Sequence, residues 1–509
     1  MGIIKRQSFK TTVVHFIGVT LGMVFLNFIF PHIILPEYLG LVGLIQSLVV
    51  VFSSITILGL PHLLVRQAGS WNSAQTKGFH TFSIILISLA VLLFVAFYLL
   101  FQNEIKAFYG NKSVLFYQFY YLIIPLVLIY SLYQYLEMFS LSKFRTAFPS
   151  FIREILYRIL IIISFLLIFY KVLSYASMSW IFITIYLVPF LLLLFYNIGI
   201  HDFSFGNIKS YWNQKSSVVK EELVYSLYMV MLVLTTNLMI FVDSLMLPAY
   251  LGLAQLAIYL RPQILGNLVN IPYRAVAIIS HPILRSKIIN EEWQELKQLH
   301  KSISLNLFLI GCLLAVALLC NVDAIFSLLP PSYQSAKSVL YIITIARLLD
   351  MAFGLNSELL IQSQFFKTNV YFSFLSMLLG VILNMLLIPS LGIAGAAWGV
   401  LFSVLFFNIL KTLLIYRKFK FHCFSASYAS ICLITVAVFF TFYFVPEFHL
   451  VQHHMFMNSL LNIVLRGSAS LMLFTTLAYL FKISPDFSHL IQTILSGKIF
   501  KGGYKMSEL

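Results

Sequence analysis

The chain has 509 residues, 61% of them hydrophobic and 10% charged, with a formal net charge of +16 and a mean hydropathy of +0.94. Apolar runs of membrane-spanning length recur from end to end, which excludes soluble domains built around separate cores, since those need polar outer faces. The class is therefore an all-α polytopic membrane protein.

At about 20 apolar residues per span, transmembrane helices are expected near 13–34, 41–65, 80–101, 119–141, 151–170, 175–197, 222–247 and 251–283. Six more follow near 303–328, 335–361, 369–388, 392–416, 425–445 and 457–481, giving 14. The first apolar run follows a basic start but is too long for a signal peptide and is expected to stay as an anchor.

Lys and Arg collect in short cytoplasmic loops. Here they fill the N-terminus and alternate loops, from Lys5, Arg6 and Lys10 through Lys209, Lys215 and Lys220 to Arg417, Lys418 and Lys420. The opposite loops hold only Lys106, Lys112, Lys171 and Lys337. An even number of spans then puts both termini in the cytoplasm. The positive charge reports topology and attraction to anionic membrane lipids, so nucleic acid is not implied.

The longest loop, about 198–221, ends in the solvated run NQKSSVVKEE. Ile288–Ser302 reads either as an amphipathic interfacial helix, with Trp293, Leu296 and Leu299 on one side, or as a plain connector. After the last span, Phe487, Leu490, Ile491, Ile494, Leu495 and Ile499 fall at helical spacing beside Lys498, Lys501 and Lys505, which predicts an interfacial cytoplasmic helix. Cys312, Cys320, Cys423 and Cys432 lack CxxC spacing and read as core residues. In HLVQHHM, His449, His453 and His454 lack partners beyond Glu447, so no metal is expected. The pair Gly497-Lys498 is not part of a phosphate-binding GxxxxGK motif, and no cofactor is expected.

One stretch is written twice. LPEYLGLVGL, Leu35–Leu44, recurs as LPAYLGLAQL, Leu247–Leu256, with seven of ten positions identical and an offset of 212 residues. Each joins two long spans through a tight turn. Phe144-Arg145-Thr146 after the fourth span matches Phe366-Lys367-Thr368 after the tenth. The expected organisation is a six-helix lobe over 1–200, a second over 201–420 related to it by pseudo-twofold symmetry, two further helices over 421–482 and an amphipathic tail over 483–509. Such a duplication suits two lobes that rock about a midplane cleft.

LIPSLGIAGAAWGVLFS, Leu387–Ser403, resembles the turn-plus-GAA element of the polysaccharide exporters in the multidrug/oligosaccharidyl-lipid/polysaccharide superfamily. Asp243, Leu251-Gly252 and Tyr259 resemble that family's Asp, Leu-Gly and Tyr pattern, and the opening IIKRQSFKTTVVHFIGVTLGMV resembles its N-terminus. The resemblance implies a Wzx-type flippase of the bacterial inner membrane, which turns an undecaprenyl-diphosphate-linked oligosaccharide between leaflets for O-antigen, capsule or exopolysaccharide assembly. It also implies coupling to H+ or Na+, and a polysaccharide polymerase and chain-length regulator as partners. Lipid II flippases and multidrug/cation antiporters of the superfamily are the runners-up. A membrane polymerase or ligase is disfavoured, since the loops after the first, seventh and eleventh spans are too short to carry catalytic groups.

A charge in the centre of a span costs ~2.5–3.5 kcal/mol, so it must face protein or water. The basic candidates for a cationic cleft that takes a diphosphate are Arg261, Arg274, Arg66, Arg158 and Arg347, because guanidinium binds phosphate bidentately. Each has a structural alternative: an ion pair for Arg261, with Asp243 as one partner, and for Arg347 with Asp350; snorkelling for the other three. Pro262 is expected to kink the eighth helix where Arg261 projects. Asp243, Glu358, Asp350 and Glu137 are the carboxylates that could couple transport to an ion, and Arg347, Asp350 and Glu358 fall on one stripe of the tenth helix. Arg466 is expected to pair within the bundle. Gly18 with Gly22, and Gly395 with Gly399, read as close-packing positions.

Overall fold

A computed structural model describes residues 2–68, 70–143, 145–201, 203–213, 216–446 and 455–495. Phe144, Lys215, the histidines of HLVQHHM with Glu447, and the tail from 496 onward with its three lysines lie outside the described residues.

Every regular element among the described residues is helical. Lipid offers the backbone no hydrogen-bond partners, so each apolar run must satisfy its amides internally. The main helices of the first half are α1 (Gly2–Leu21), continued by a π-helical stretch Gly22–Ile29, then α2 (Pro36–Thr56), α3 (Ser73–Leu100), α4 (Ile123–Ser142), α5 (Tyr157–Phe169), α6 (Met178–His201) and α7 (Ser216–Leu251). There follow α8 (Leu253–Asn267), α9 (Ile271–Ile289), α10 (Trp293–Leu319), α11 (Lys337–Ala352), α12 (Asn356–Gln362), α13 (Phe366–Leu391), α14 (Ile393–Phe419), α15 (Ser427–Phe444), α16 (Met455–Leu480) and α17 (Pro485–Leu495).

By length and composition, 11 helices can cross a membrane among the described residues, or 12 if the pair ending in α11 and α12, bent by 47°, is one span. The other two of the 14 expected spans are helical but fall short for visible reasons. The segment 151–170 opens with a π turn, Ile152–Leu156, and carries Arg153, Glu154 and Arg158. The segment 251–283 is split by a 3-10 turn at Leu268–Asn270. That split corrects the expected kink: α8 runs unbroken through Pro262, and the helix gives way before Pro272, which sits in the first turn of α9 and can donate no amide.

The chain divides into two compact units, Met1–Leu260 and Arg261–Leu509. In the first, Leu63, Phe79, Tyr135, Leu193 and Tyr211 belong to one buried apolar cluster. In the second, Leu296, Leu307, Met351, Leu359 and Ile415 form another, while Phe308, Cys312, Ile431 and Phe474 tie α10 to α15 and α16. Three cysteines are buried; Cys432 is exposed. Of the two readings of Ile288–Ser302, neither holds beyond the turn at 290–292, because α10 starts at Trp293 and runs on into the span with Leu296 fully buried. Helix α17 is present, and Asp486 in its first turn accepts hydrogen bonds from Ser302 (2.5 Å) and Asn306 (2.8 Å).

Candidate functional site

The duplicated turns meet each other in the first unit. A Cβ on Gly40, in the first copy, would overlap the Leu253 carbonyl just after the second, so only glycine allows the two backbones to touch. Gly252 holds a φ of +92°, a left-handed turn that glycine adopts without strain. The second turn is also held by Lys112, whose ammonium donates to the Tyr250 carbonyl at 2.5 Å, and by Ser113, which donates to Pro248 at 2.8 Å. Just inside, Tyr259 donates to the Asp243 carboxylate at 2.5 Å, and both side chains are fully buried. Of the Asp, Leu-Gly and Tyr pattern, Asp243 and Tyr259 are thus in direct contact, while Gly252 makes the turn between their helices.

The other first-unit candidates are paired directly. Arg66 lies at the surface, 3.4 Å from Glu221 and over the Tyr225 ring. Glu137 accepts from Arg153 at 2.7 Å, and Arg158 reaches Glu154 at 2.6 Å; Glu154 also contacts Arg153 (3.2 Å) and His15 (3.3 Å). Gly18 and Gly22 make room for this group, since a Cβ on either would come within 2.9 Å of the Arg158 guanidinium. The two carboxylates are the buried members, with Glu137 and Glu154 side chains 12% and 11% exposed, and the cations that reach them from partly exposed positions offset part of their lost hydration.

Sequence reasoning overlooks Arg153 and Glu154, although they lie inside an expected span. It also reads Glu222 as part of a solvated run. Glu222 is 3% exposed and accepts from Gln67 (2.9 Å), Trp71 (3.3 Å) and Tyr211 (2.9 Å). This fastens the loop after α6, with its short helix Ile208–Trp212, to the start of α7 and the segment ahead of α3. Burial and the Glu222 bond push the Tyr211 hydroxyl well above its ordinary 10.0.

In the second unit the charges are arranged differently. Arg261 is 5% exposed and has the buried Tyr333 hydroxyl as a neighbour. Arg347 donates to the Asn267 side chain at 2.6 Å, and Asp350 accepts from Asn408 at 2.9 Å, so the expected Arg347–Asp350 pair does not form. Nor do Arg347, Asp350 and Glu358 share one stripe: the helix breaks at Gly354, where φ is +59°, and Glu358 stands on α12. Glu358 accepts from Tyr273 at 2.9 Å, with His281 4.0 Å away. Arg274 is exposed and has no ion-pair partner within 4.0 Å among the described residues. Arg466, 6% exposed, donates to the Phe442 carbonyl at 2.5 Å, linking α16 to α15.

One buried cation goes unnoticed in the sequence. Lys411, on α14, is 3% exposed, donates to Ser357 at 2.8 Å and sits 3.9 Å from the Phe407 ring centre. By position alone it is one more lysine towards the end of a span. Asn408, Lys411 and Thr412, at i, i+3 and i+4 on an apolar helix, are the available signal. Among the described residues no three His, Cys, Asp or Glu side chains converge as metal ligands.

No protein-family model matches the chain, and no curated protein matches it significantly. Solved structures do. The lipid II flippase MurJ in an inward closed conformation is similar at a TM-score of 0.66 and 16% identity, over 93% of this chain and 99% of that one. A multidrug resistance MATE family transporter of the MOP superfamily, inward-facing, is similar at 0.57 and 13%, over 79% of this chain and 94% of that one. A MOP superfamily transporter from Pyrococcus furiosus is similar at 0.52 and 14%, over 82% and 95%. At these identities the likeness is one of fold, and the fold of this multi-pass membrane protein is that of the MOP-superfamily transporters.

Proposed function

We propose that the protein is a flippase that moves a polyprenyl-diphosphate-linked oligosaccharide across the bacterial inner membrane for cell-surface polysaccharide assembly. Both termini would be cytoplasmic, transport would be coupled to H+ or Na+, and a polysaccharide polymerase and chain-length regulator would act on the exported unit. The observation that carries this reading is the state of Arg347 in the second unit. Its guanidinium is held by the neutral Asn267 amide rather than by a carboxylate, an arrangement that keeps the charge for an anionic cargo. A diphosphate leaving water needs such groups in place of its hydration shell.

The coverage of the structural matches supports a lipid-linked cargo over a drug or cation. The lipid II flippase spans 93% of this chain and the MATE transporter 79%, although each is matched almost throughout its own length. This protein is therefore longer than the MATE architecture and shares its extra length with the flippase. Lipid II-type cargo has the same diphosphate chemistry, and the glycan decides between them.

The test is translocation of a fluorescent polyprenyl-diphosphate oligosaccharide in proteoliposomes, comparing the parent with Arg261→Ala at matched reconstitution. Flipping by the parent that collapses in the variant supports both the function and the cationic site. Retention of flipping in the variant returns Arg261 to a structural role. No flipping of any polyprenyl-diphosphate glycan by the parent sinks the proposal in favour of an antiporter.

A further inference from the structure

Arg347 and Asp350 stand one turn apart on α11, a spacing at which opposite charges on a helix ordinarily interact. Each is taken instead by an asparagine from another helix. The Arg347 Nε–H donates to the Asn267 side-chain oxygen at 2.6 Å, and Asn408 on α14 donates to Asp350 at 2.9 Å. A guanidinium only donates, so the amide oxygen is the Asn267 atom that meets it. The first unit holds its arginines in the other way: Arg153 and Arg158 close on carboxylates at 2.7 and 2.6 Å.

The backbone brings Asn267 to this place. It is the last residue of α8, and Gly266 beside it lets α8 come close to α11, because a Cβ there would lie 2.7 Å from the Ile343 side chain, one turn before Arg347. The 3-10 turn Leu268–Asn270 that follows packs on α11 as well. Arg347 does not cap the broken helix. It meets a side chain, whereas Arg466 reaches a backbone carbonyl, that of Phe442.

Arg347 is partly exposed, and among the described residues the Asn267 bond is its one hydrogen bond or ion pair. That bond uses the Nε edge, so the N–H groups on Nη1 and Nη2 stay open. These two nitrogens are the end of the fork that takes two phosphate oxygens at once. An amide at 267 fixes the plane of the guanidinium and leaves its charge whole; a carboxylate in the same place would fix the plane and cancel the charge.

We infer that Asn267 is a positioning residue for the cargo's diphosphate: it aims the Nη fork of Arg347 and, being neutral, preserves the charge that the diphosphate meets, while Asn408 keeps Asp350 from cancelling it. This rests on the anionic-cargo reading above and deepens it, by assigning the choice of an anion to a neutral side chain. A carboxylate at 267 would also stand beside the cargo, where like charges repel.

The experiment is thermal unfolding of the full-length protein in detergent, titrated with farnesyl diphosphate, a soluble polyprenyl diphosphate, and with farnesol as the uncharged control. The parent should be stabilised saturably by the diphosphate and not by farnesol. Asn267→Asp gains an ion pair, so without ligand it should unfold no earlier than the parent. It should nevertheless need a diphosphate concentration at least about tenfold higher for half the effect. Asn267→Leu loses the aim and keeps the charge, so it should weaken binding less than Asn267→Asp. Asn408→Leu frees Asp350 to reach Arg347 and should weaken binding too; adding Asp350→Asn should restore it.

A purely structural Asn267 gives the opposite order, with Asn267→Asp equal to the parent and Asn267→Leu the more damaging. That order overturns the inference, as does a failure of Asp350→Asn to restore binding in Asn408→Leu. Should Asn267→Asp give no folded protein, the Asn408→Leu pair of variants decides. A parent indifferent to farnesyl diphosphate removes the anionic-cargo reading and this inference with it, whereas a responsive parent with an equally responsive Asn267→Asp removes the role of Asn267 alone.

Discussion

Tyr259 and Asp243 are joined by a 2.5 Å hydrogen bond between two fully buried side chains, one early in α8 and the other late in α7. A hydrogen bond to a buried carboxylate contributes ~1.5–3 kcal/mol. Tyr259→Phe should lower thermal stability by that order. Asp243→Asn should cost less when Tyr259→Phe is already present than in the parent, a coupling that a double-mutant cycle would show. Additive losses would mean that the two residues act independently.

Gly22→Leu should reduce the yield of monodisperse protein, because its side chain would enter the space of the Arg158 guanidinium. Overpacking of this kind costs ~1–3 kcal/mol. Gly22→Ala combined with Arg158→Ala should recover part of what Gly22→Ala alone loses, as read by size-exclusion chromatography after heating. No recovery would place the clash elsewhere.

Arg66 offers a contrast with Arg261. Its partner Glu221 has 75% of its side chain exposed, and such surface pairs contribute ~0–1 kcal/mol. Arg66→Ala should unfold within a few degrees of the parent and keep most of its flipping activity in the proteoliposome assay. A collapse comparable with that of Arg261→Ala would put Arg66 in the cargo path.

Tyr211 gives the loop after α6 a pH limit. Its hydroxyl is raised by burial and then by Glu222, so the folded state favours the protonated phenol. A raised folded-state value contributes stability that is whole below the unfolded value of 10.0 and is lost as pH climbs above it. Stability should therefore decline above pH 10.0, and Tyr211→Phe should flatten that decline while lowering stability at neutral pH. Trp71 fluorescence is a local reporter, because its indole donates to the same carboxylate.

The apolar runs make the membrane fold legible, because a helix is the way such runs can bury their amides in lipid. The repeated LPxYLG turn is legible as well, and Asp243 and Tyr259, on either side of its second copy, do meet. The charged residues are harder to read, for a common reason. Span assignment takes each charge as a cost to one helix, whereas Glu154 and Arg158 offset each other across one helical turn and Glu222 is satisfied by residues up to 155 positions away. Lys411 is hidden by position: a lysine towards the end of a span is expected to reach water, and the packing of α11 and α12 on α14 shows that it does not. The break at 268–270 is misplaced in the sequence reading because two prolines compete, and the first is tolerated inside α8.

The contact of Gly40 with the backbone beyond Gly252 also sets what the two copies of the turn tolerate. At Gly40 the limit is space, since a Cβ would overlap the Leu253 carbonyl; at Gly252 it is the left-handed backbone. The same residue type is required at matching positions for two different physical reasons, so a side chain at the first would push two backbones apart, whereas one at the second would strain the turn itself.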